Sequence, residues 1–120
     1  MALKGTADLY NSKVLRGSMG ALFRLPAVMT DASAYLAWAN AGGVETWVTA
    51  TDGEPLERDG KATRPRAPVA LVLGNEGAGV RSALADAAQR RVAIPLDRGV
   101  ESLNVAVAAG ILLYEVARGI

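Results

Sequence analysis

The stretch that most constrains the fold is residues 69–73, five apolar residues in a row that are followed at once by "GNEGAG". A strand with one face in water would alternate apolar and polar residues, whereas an unbroken apolar run indicates a strand covered on both faces. The run "RVAIP" at residues 91–95 has the same character. Helix patterns occupy residues 30–43, 80–90 and 102–118. The sequence therefore predicts an α/β fold in which a parallel sheet is flanked by helices.

The remaining segments are predicted to add two strands and one long loop. "VETWVTAT" at residues 44–51 alternates and is β-branched, which is typical of a strand. Residues 14–15 are expected to form a short strand. Residues 52–68 are polar and contain three prolines, which predicts a surface loop. We expect one domain over residues 1–120, with a core of Ala, Val and Leu because only 5% of the residues are aromatic.

Composition narrows the chemistry that the chain can perform. It has no cysteine and no histidine, which removes disulfides, thiolate metal sites and the commonest general base. We therefore expect no metal site. The net charge of +1 provides no general attraction to nucleic acid. The longest apolar run, residues 103–116, is too short to span a bilayer, so we expect a soluble, cytoplasmic protein.

Two loops at predicted strand ends are candidate functional segments, because ligands bind at the carboxyl ends of the strands in open parallel sheets. In the first, "LGNEGAG", the spacing of Gly74, Gly77 and Gly79 matches neither the dinucleotide fingerprint nor the phosphate-binding loop. These glycines either form a tight turn or leave the backbone open to a flat ligand such as a nucleoside. Glu76 either holds the loop or binds a hydroxyl or amine of a ligand.

The second loop, "PLDRGVES" at residues 95–102, leads into the last predicted helix. Ser102 is a good N-cap for a helix over residues 103–118. Asn104 follows in the first turn among apolar residues, and a buried amide needs hydrogen-bond partners. Asn104 therefore either satisfies local backbone groups or bonds to a ligand at the carboxyl edge of the sheet.

In this order and at this separation, the two loops resemble the second and third motifs of the SpoU/TrmH family, the RNA ribose 2′-O-methyltransferases of the SPOUT superfamily. The matching segments are "LVLGNEGAGV" (71–80) and "IPLDRGVESLNVAVAAGILLYEVAR" (94–118). In addition, "DLYNSKVLRGSMGALFRLP" (8–26) resembles the segment after the family's first motif. The resemblance implies a SPOUT-type fold with a C-terminal trefoil knot, an exception to the usual topology rules. It also implies a homodimer with S-adenosylmethionine bound between the knotted loops.

The resemblance also implies roles for individual residues. The implied cofactor-binding residues are Leu73, Gly74, Glu76, Gly77, Ile94, Leu96, Ser102 and Leu103. The catalytic candidates are Asn104, Ser102 and Glu76, and Asn104 would orient the reacting hydroxyl or the residue that activates it. The RNA-binding candidates are Lys13, Arg16 and Arg24, near the family's substrate face. The long loop also carries basic residues, Arg58, Lys61, Arg64 and Arg66. Because acidic residues are interspersed among them, a solvated surface is favoured over the alternative, phosphate binding.

In one respect the sequence departs from the family pattern. The family's first motif supplies an Asn and an Arg before "DLYNSKVLRGSMG", and the Arg is taken to activate the ribose hydroxyl; this sequence begins after that place. The leading hypothesis is an S-adenosylmethionine-dependent 2′-O-methyltransferase of rRNA or tRNA, represented by its cofactor-binding part. The alternative is a catalytically incomplete module that binds cofactor or RNA, or that dimerises. An unrelated nucleotide-binding α/β domain is a third hypothesis.

Overall fold

The computed structural model describes residues 1–58, 61–62, 64–75, 77–97 and 99–119. The chain divides into two compact units, Met1–Trp38 and Ala39–Ile120. The helices and strands are β1 (Ala2–Leu3), α1 (Ser12–Gly17), β2 (Met29–Thr30), α2 (Ala32–Gly42), β3 (Glu45–Pro55), β4 (Glu57–Arg58), β5 (Lys61–Ala62), β6 (Val69–Val72), α3 (Ser82–Ala87), β7 (Arg90–Ala93) and α4 (Val105–Gly119). None of the helices in the described residues is long and apolar enough to cross a membrane.

In the first unit, residues 14–15 lie in helix α1, so the prediction of a strand there is wrong. The Asn11 side chain caps this helix by accepting a hydrogen bond from the backbone N–H of Lys13 at 2.8 Å. Such a cap satisfies an N–H group that the first helical turn leaves unpaired, and it outweighs the weak strand preference of Val14. The parallel pair β1–β2, in which Ala2 lies opposite Met29, was not predicted from the sequence.

Helix α2 confirms the prediction for residues 30–43. The Asp31 carboxylate accepts a hydrogen bond at 2.8 Å from the N–H of Ala34, three residues later in the chain. This is the hydrogen bond that an N-cap side chain makes. At the other end Gly43 takes a φ of +61°. Residues with side chains rarely adopt this left-handed conformation, so a glycine stops the helix here.

The second unit contains the predicted parallel sheet, with strand order β6-β3-β7. Central strand β3 places Trp47 opposite Leu71 on one side and opposite Arg90 on the other. Trp47 of β3 and Val92 of β7 are completely buried, with an exposed fraction of 0%. By contrast, all four residues of β6, which was predicted to be covered on both faces, are half-buried. In the described residues β6 pairs on one side only, and a strand at an edge is less covered than a central one.

An aromatic residue lies at the centre of this unit, although a core of small aliphatic residues was expected. Trp47 packs with Leu56, Val92, Leu112 and Val116. The two last residues come from α4, so this helix covers one face of the sheet. One fully buried indole fills a volume that several alanines would otherwise occupy.

Part of the predicted loop at residues 52–68 is regular structure. Strand β3 continues to Pro55, and β4 and β5 form a short antiparallel pair. Val92 is the register partner of Thr49 and again of Glu54, so residues 50–53 bulge out of the sheet. A β-carbon at Gly53 would lie 2.6 Å from the carbonyl carbon of Val92, so the bulge passes too close to β7 for a side chain there. After the bulge, Glu54 and Pro55 lie opposite Val92 and Ala93 of β7.

Candidate active site at the carboxyl ends of the strands

A cavity of about 850 Å³ lies at the carboxyl ends of β3, β6 and β7. Its walls are the β3 bulge, residues 73–75 and 77–80 after β6, and residues 94–96 and 100–103 after β7. Helix α4 contributes Val105, Ala108 and Leu112. The two loops singled out in the sequence therefore border one cavity, because parallel strands bring their carboxyl ends to the same edge of a sheet.

Most of the predicted cofactor-binding residues line this cavity. They are Leu73, Gly74, Gly77, Ile94, Leu96, Ser102 and Leu103. Glu76, predicted for a catalytic and a cofactor-binding role, lies outside the described residues. Contact between any of these residues and a cofactor stays a prediction.

The glycine-rich loop is held by its own hydrogen bonds. The Asn75 side-chain oxygen accepts from the N–H groups of Gly77 at 3.0 Å and Ala78 at 2.6 Å. The Gly79 N–H donates to the Asn75 carbonyl at 3.1 Å, and Gly79 takes a φ of +67°. This geometry supports the tight turn, one of the two alternatives left open by the sequence. Sequence reasoning missed Asn75, although Asn followed two residues later by Gly is a known turn signal.

The loop after β7 places the Ser102 hydroxyl at the cavity wall. Within residues 96–103, the one backbone–backbone hydrogen bond among described residues runs from the Val100 N–H to the Asp97 carbonyl at 3.1 Å. Ser102 is exposed, and its hydroxyl makes no hydrogen bond to the described residues. The Ser102 hydroxyl can therefore bind a ligand without breaking a hydrogen bond within the described residues.

Asn104, rather than Ser102, caps the last helix. Its Oδ1 accepts hydrogen bonds from the N–H groups of Ala106 at 2.9 Å and Val107 at 3.4 Å. The prediction that Ser102 is the N-cap is wrong, because the helix begins at Val105, two residues later than expected. Asn104 is exposed and does not line the cavity, so the local alternative accounts for its oxygen. A catalytic role for Asn104 stays a prediction.

An ion pair that sequence reasoning missed also borders the cavity. Arg91 Nη2 lies 2.6 Å from Asp52 Oδ1. The hydrogen bond from Arg91 and its positive charge hold the pKa of Asp52 below the ordinary value of a carboxyl group. Asp52 directly follows a strand-like run, which was a usable signal, but its pairing with Arg91 depends on the β3 bulge.

The three RNA-binding candidates belong to the first unit. Lys13 and Arg16 lie on α1, and Arg24 follows a 3₁₀ turn at Ala21–Phe23. All three side chains are exposed. Their contact with RNA stays a prediction.

Comparison with known proteins adds sequence relatives of named activity. Residues 1–114 match the SpoU rRNA Methylase family. The chain is 40% identical over 111 residues to the 23S rRNA (guanosine(2553)-2′-O)-methyltransferase RlmP of Bacillus subtilis, covering 92% of this chain and 43% of the relative. It is 35% identical over 116 residues to the 23S rRNA (adenosine(1067)-2′-O)-methyltransferase of Streptomyces laurentii, covering 95% and 42%.

Solved structures with the same fold include two with bound AdoMet. An rRNA methyltransferase from Sinorhizobium meliloti matches with a TM-score of 0.81 and 32% identity over 96% of this chain and 43% of that chain. The SpoU methyltransferase AviRb from Streptomyces viridochromogenes matches with a TM-score of 0.82 and 32% identity over 98% and 47%. The chain thus spans less than half the length of these proteins. Because the family match covers both loops of the cavity, the chain belongs to the SpoU rRNA methylase family.

Proposed function

We propose that this chain is the cofactor-binding part of an S-adenosylmethionine-dependent RNA ribose 2′-O-methyltransferase. The observation that carries the proposal is the single cavity bordered by both loops that resemble the family's second and third motifs. The AdoMet-bound structures of similar fold and the names of the relatives support the same activity.

The cavity suits this cofactor in size and in chemistry. Its volume of about 850 Å³ lies within the range of small-molecule sites. Leu73, Ile94 and Leu103 offer apolar surface to an adenine ring, while the Ser102 hydroxyl and nearby backbone groups offer hydrogen bonds to polar atoms. When bound, S-adenosylmethionine supplies a methyl group on a positively charged sulfur. The residues of this chain then bind the cofactor and the ribose hydroxyl and orient them for methyl transfer.

The proposed catalytic residues act on the ribose hydroxyl, which is a weak nucleophile and must lose a proton. Asn104 and Ser102 are proposed to orient this hydroxyl, and Glu76 to brace the same pocket. Asp52 is ionised at neutral pH, but its lowered pKa makes it a weak base, so we assign it no proton transfer.

Ribosomal RNA is the favoured substrate, because both relatives compared above are named for 23S rRNA. Lys13, Arg16 and Arg24 are proposed to bind its backbone. A variant in which Lys13, Arg16 and Arg24 all lose their positive charge is expected to bind RNA more weakly and with a smaller salt dependence.

The proposed location is the cytoplasm, where ribosomal RNA and transfer RNA are found.

The first experiment is a calorimetric titration of the chain with S-adenosylmethionine. One-site binding is expected, and replacement of Leu103 by Asp should abolish it by placing a charge in the apolar wall. The exposed Leu113, which does not line the cavity, provides a matched Leu113→Asp control that should bind normally. Absence of binding to the folded wild-type chain would refute the proposal.

A second experiment separates the enzyme from the incomplete module, the alternative hypothesis. The chain is incubated with 23S rRNA and S-adenosylmethionine that carries a labelled methyl group. Label recovered in dinucleotides after alkaline hydrolysis marks 2′-O-methylation, because the bond next to a methylated ribose has no free 2′-hydroxyl to cleave it. Cofactor binding without transfer of label would favour the module.

We further propose that the protein is a homodimer. The support is an apolar face of α4 formed by Val107, Ile111 and Tyr114, spaced four and three residues apart and exposed by 52%, 39% and 64%. Sedimentation should give the mass of a dimer. Ile111→Glu should produce monomers, whereas Leu113→Glu, on a different side of the same helix, should not.

The trefoil knot is likewise a proposal, implied by the family resemblance. Its support here is that the loops before α3 and before α4 border the same cavity, as two loops of one knot would. An experimental structure tests it directly. If the traced chain can be pulled straight from both ends without tightening into a knot, the proposal is wrong.

A further inference from the structure

A second cavity, of about 390 Å³, lies at the opposite, amino ends of β3, β6 and β7. Its lining residues are Glu45, Trp47, Arg64, Arg66, Gln89 and Arg90. The proposed methyl transfer takes place at the carboxyl ends of the strands and uses none of them. Three arginines at one cavity are a concentration of positive charge that the net charge of the chain does not reveal.

The frame of this cavity is fixed by hydrogen bonds between the strand ends. The Gln89 side chain accepts from the Thr46 N–H at 2.6 Å and donates to the Ala87 carbonyl at 3.1 Å. The Gln89 N–H donates to the Thr46 carbonyl at 2.9 Å, and the Glu45 N–H donates to the Pro68 carbonyl at 2.8 Å. A ligand here meets a preformed wall, which reduces the entropy lost on binding.

Arg90 is held in place on this wall. Its guanidinium carbon lies 5.0 Å from the centre of the Trp47 ring, and Nη2 lies 3.1 Å from Glu54 Oε2. The ring is fully buried beneath it, whereas 32% of the Arg90 side chain remains exposed. A guanidinium fixed over an aromatic ring still presents its remaining N–H donors to a ligand.

Arg64 and Arg66 differ from Arg90, because no carboxylate among the described residues pairs with either guanidinium. Both are exposed, and neither makes an ion pair or a hydrogen bond with the described residues. The nearby carboxylate of Glu45 accepts a hydrogen bond from Trp47 Nε1 at 2.9 Å. Among the described residues that line the cavity, three guanidinium groups stand against the one carboxylate of Glu45, and Glu54 pairs with Arg90 from outside the lining.

We propose that this cavity, which we call the amino-edge site, binds phosphate groups of an RNA backbone. Guanidinium groups match the geometry of phosphate oxygens and bind them through paired hydrogen bonds. Such contacts fix the position of a nucleic acid without reading its sequence. The inference rests on the proposed function, since it takes RNA as the ligand, and it adds a binding surface away from the methyl-transfer cavity.

The test compares a double variant, Arg64→Ala with Arg66→Ala, with a charge-conserving pair, Arg64→Lys with Arg66→Lys. The probe is a fluorescein-labelled single-stranded RNA of 20 nucleotides, titrated with the chain at several salt concentrations. The alanine pair should lower affinity at least about fivefold at low salt. It should also reduce the slope of log affinity against log salt by about 1.4, which is about 0.7 for each phosphate that is no longer neutralised. The lysine pair should retain most of the affinity and slope, and its thermal melting curve should match that of the alanine pair.

Three results would overturn the assignment. One is an unchanged affinity and slope for the alanine pair. Another is complete displacement of the RNA by inorganic phosphate at about the concentration that saturates a single anion site. RNA that contacts the site through several phosphates should bind far more tightly than one phosphate ion and should resist such displacement. The third is tighter binding of a glutamate oligomer than of RNA, which would make the site a docking surface for acidic peptides.

Titration of the same variants with S-adenosylmethionine separates this inference from the proposed function. The alanine pair should bind the cofactor as the wild type does. If the wild type binds RNA through Arg64 and Arg66 but binds no cofactor, the amino-edge site stands and the methyltransferase proposal falls.

Discussion

A β-carbon added at Gly74 would lie 2.1 Å from the carbonyl carbon of Gly79. The two ends of the glycine-rich loop therefore touch backbone to backbone, and no residue other than glycine fits at position 74. The requirement is one of space rather than of backbone conformation, because a positive φ occurs at Gly79 but not at Gly74. The cavity wall depends on this close approach.

We predict that Gly74→Ala opens the loop. The added methyl group should destabilise the fold by about 1–3 kcal/mol, as is usual when a packed region is overfilled. It should also weaken binding of S-adenosylmethionine, because the wall of the cavity moves. Thermal unfolding and calorimetric titration measure the two effects.

Gly77→Ala is the matched control in the same loop. A β-carbon there would meet Asn75 Oδ1 at 3.8 Å, an ordinary contact distance. We expect little change in stability. Equal losses in the two variants would show that the loop tolerates no alanine at all, and that the close approach of Gly74 to Gly79 is not the cause.

Asn104→Ala should destabilise the chain by about 0.5–2 kcal/mol, the usual cost of losing an N-cap. Asn104→Asp should retain most of this stability, because its carboxylate can accept the same bonds from Ala106 and Val107. Ser102→Ala should leave stability unchanged. Chemical denaturation of the three variants checks this order, and a larger loss for Ser102→Ala than for Asn104→Ala would contradict it.

The Asn104→Asp variant also tests the proposed catalytic role. A residue that only caps the helix can be replaced by Asp without loss of methyl transfer. A residue that donates its amide N–H groups to a ligand cannot, since a carboxylate accepts but does not donate. Normal stability with lost activity would support the catalytic role, and normal activity would refute it.

Arg91→Gln should raise the pKa of Asp52 towards the ordinary aspartate value of about 3.9. The cause is loss of the hydrogen bond and of the positive charge that hold the pKa of Asp52 down. Because this pKa is lowered in the folded state, the ion pair stabilises the protein above the ordinary value and stops doing so as the pH falls through the folded-state pKa.

The carboxyl carbon shift of Asp52, followed by NMR against pH, measures the change. Arg118→Gln is the control, because Arg118 pairs with Glu115 rather than with Asp52. An unchanged pKa of Asp52 in Arg91→Gln would mean that the pair does not persist in solution.

The two tryptophans should respond very differently to truncation. Trp47 is fully buried, whereas Trp38 is 47% exposed. We expect Trp47→Ala to cost about 3–5 kcal/mol, enough to unfold much of a small domain, and Trp38→Ala to cost much less. Melting temperatures of the two variants decide the matter, and similar losses would mean that Trp47 is not at the centre of the core.

Much of the helix and strand pattern could be predicted from local signals. The apolar runs at residues 69–73 and 91–95 contain strands β6 and β7, which pair with β3. Helix α2 begins after Asp31, a capping residue type, and ends before Gly43, a residue type that stops helices. The exact start of α4 could not be predicted in this way. Ser102 and Asn104 are both good capping residues, and local preference alone does not choose between them.

The sequence by itself determined the α/β fold with a parallel sheet and the two loops that border the cavity, because hydrophobic periodicity and glycine-rich turns act over a few residues. Tertiary structure decided the rest. The pairing of Asp52 with Arg91 required the β3 bulge, and the grouping of Arg64 and Arg66 with Arg90 required the strand order β6-β3-β7. Contacts between residues distant in the chain depend on strand order and register, which no local pattern encodes.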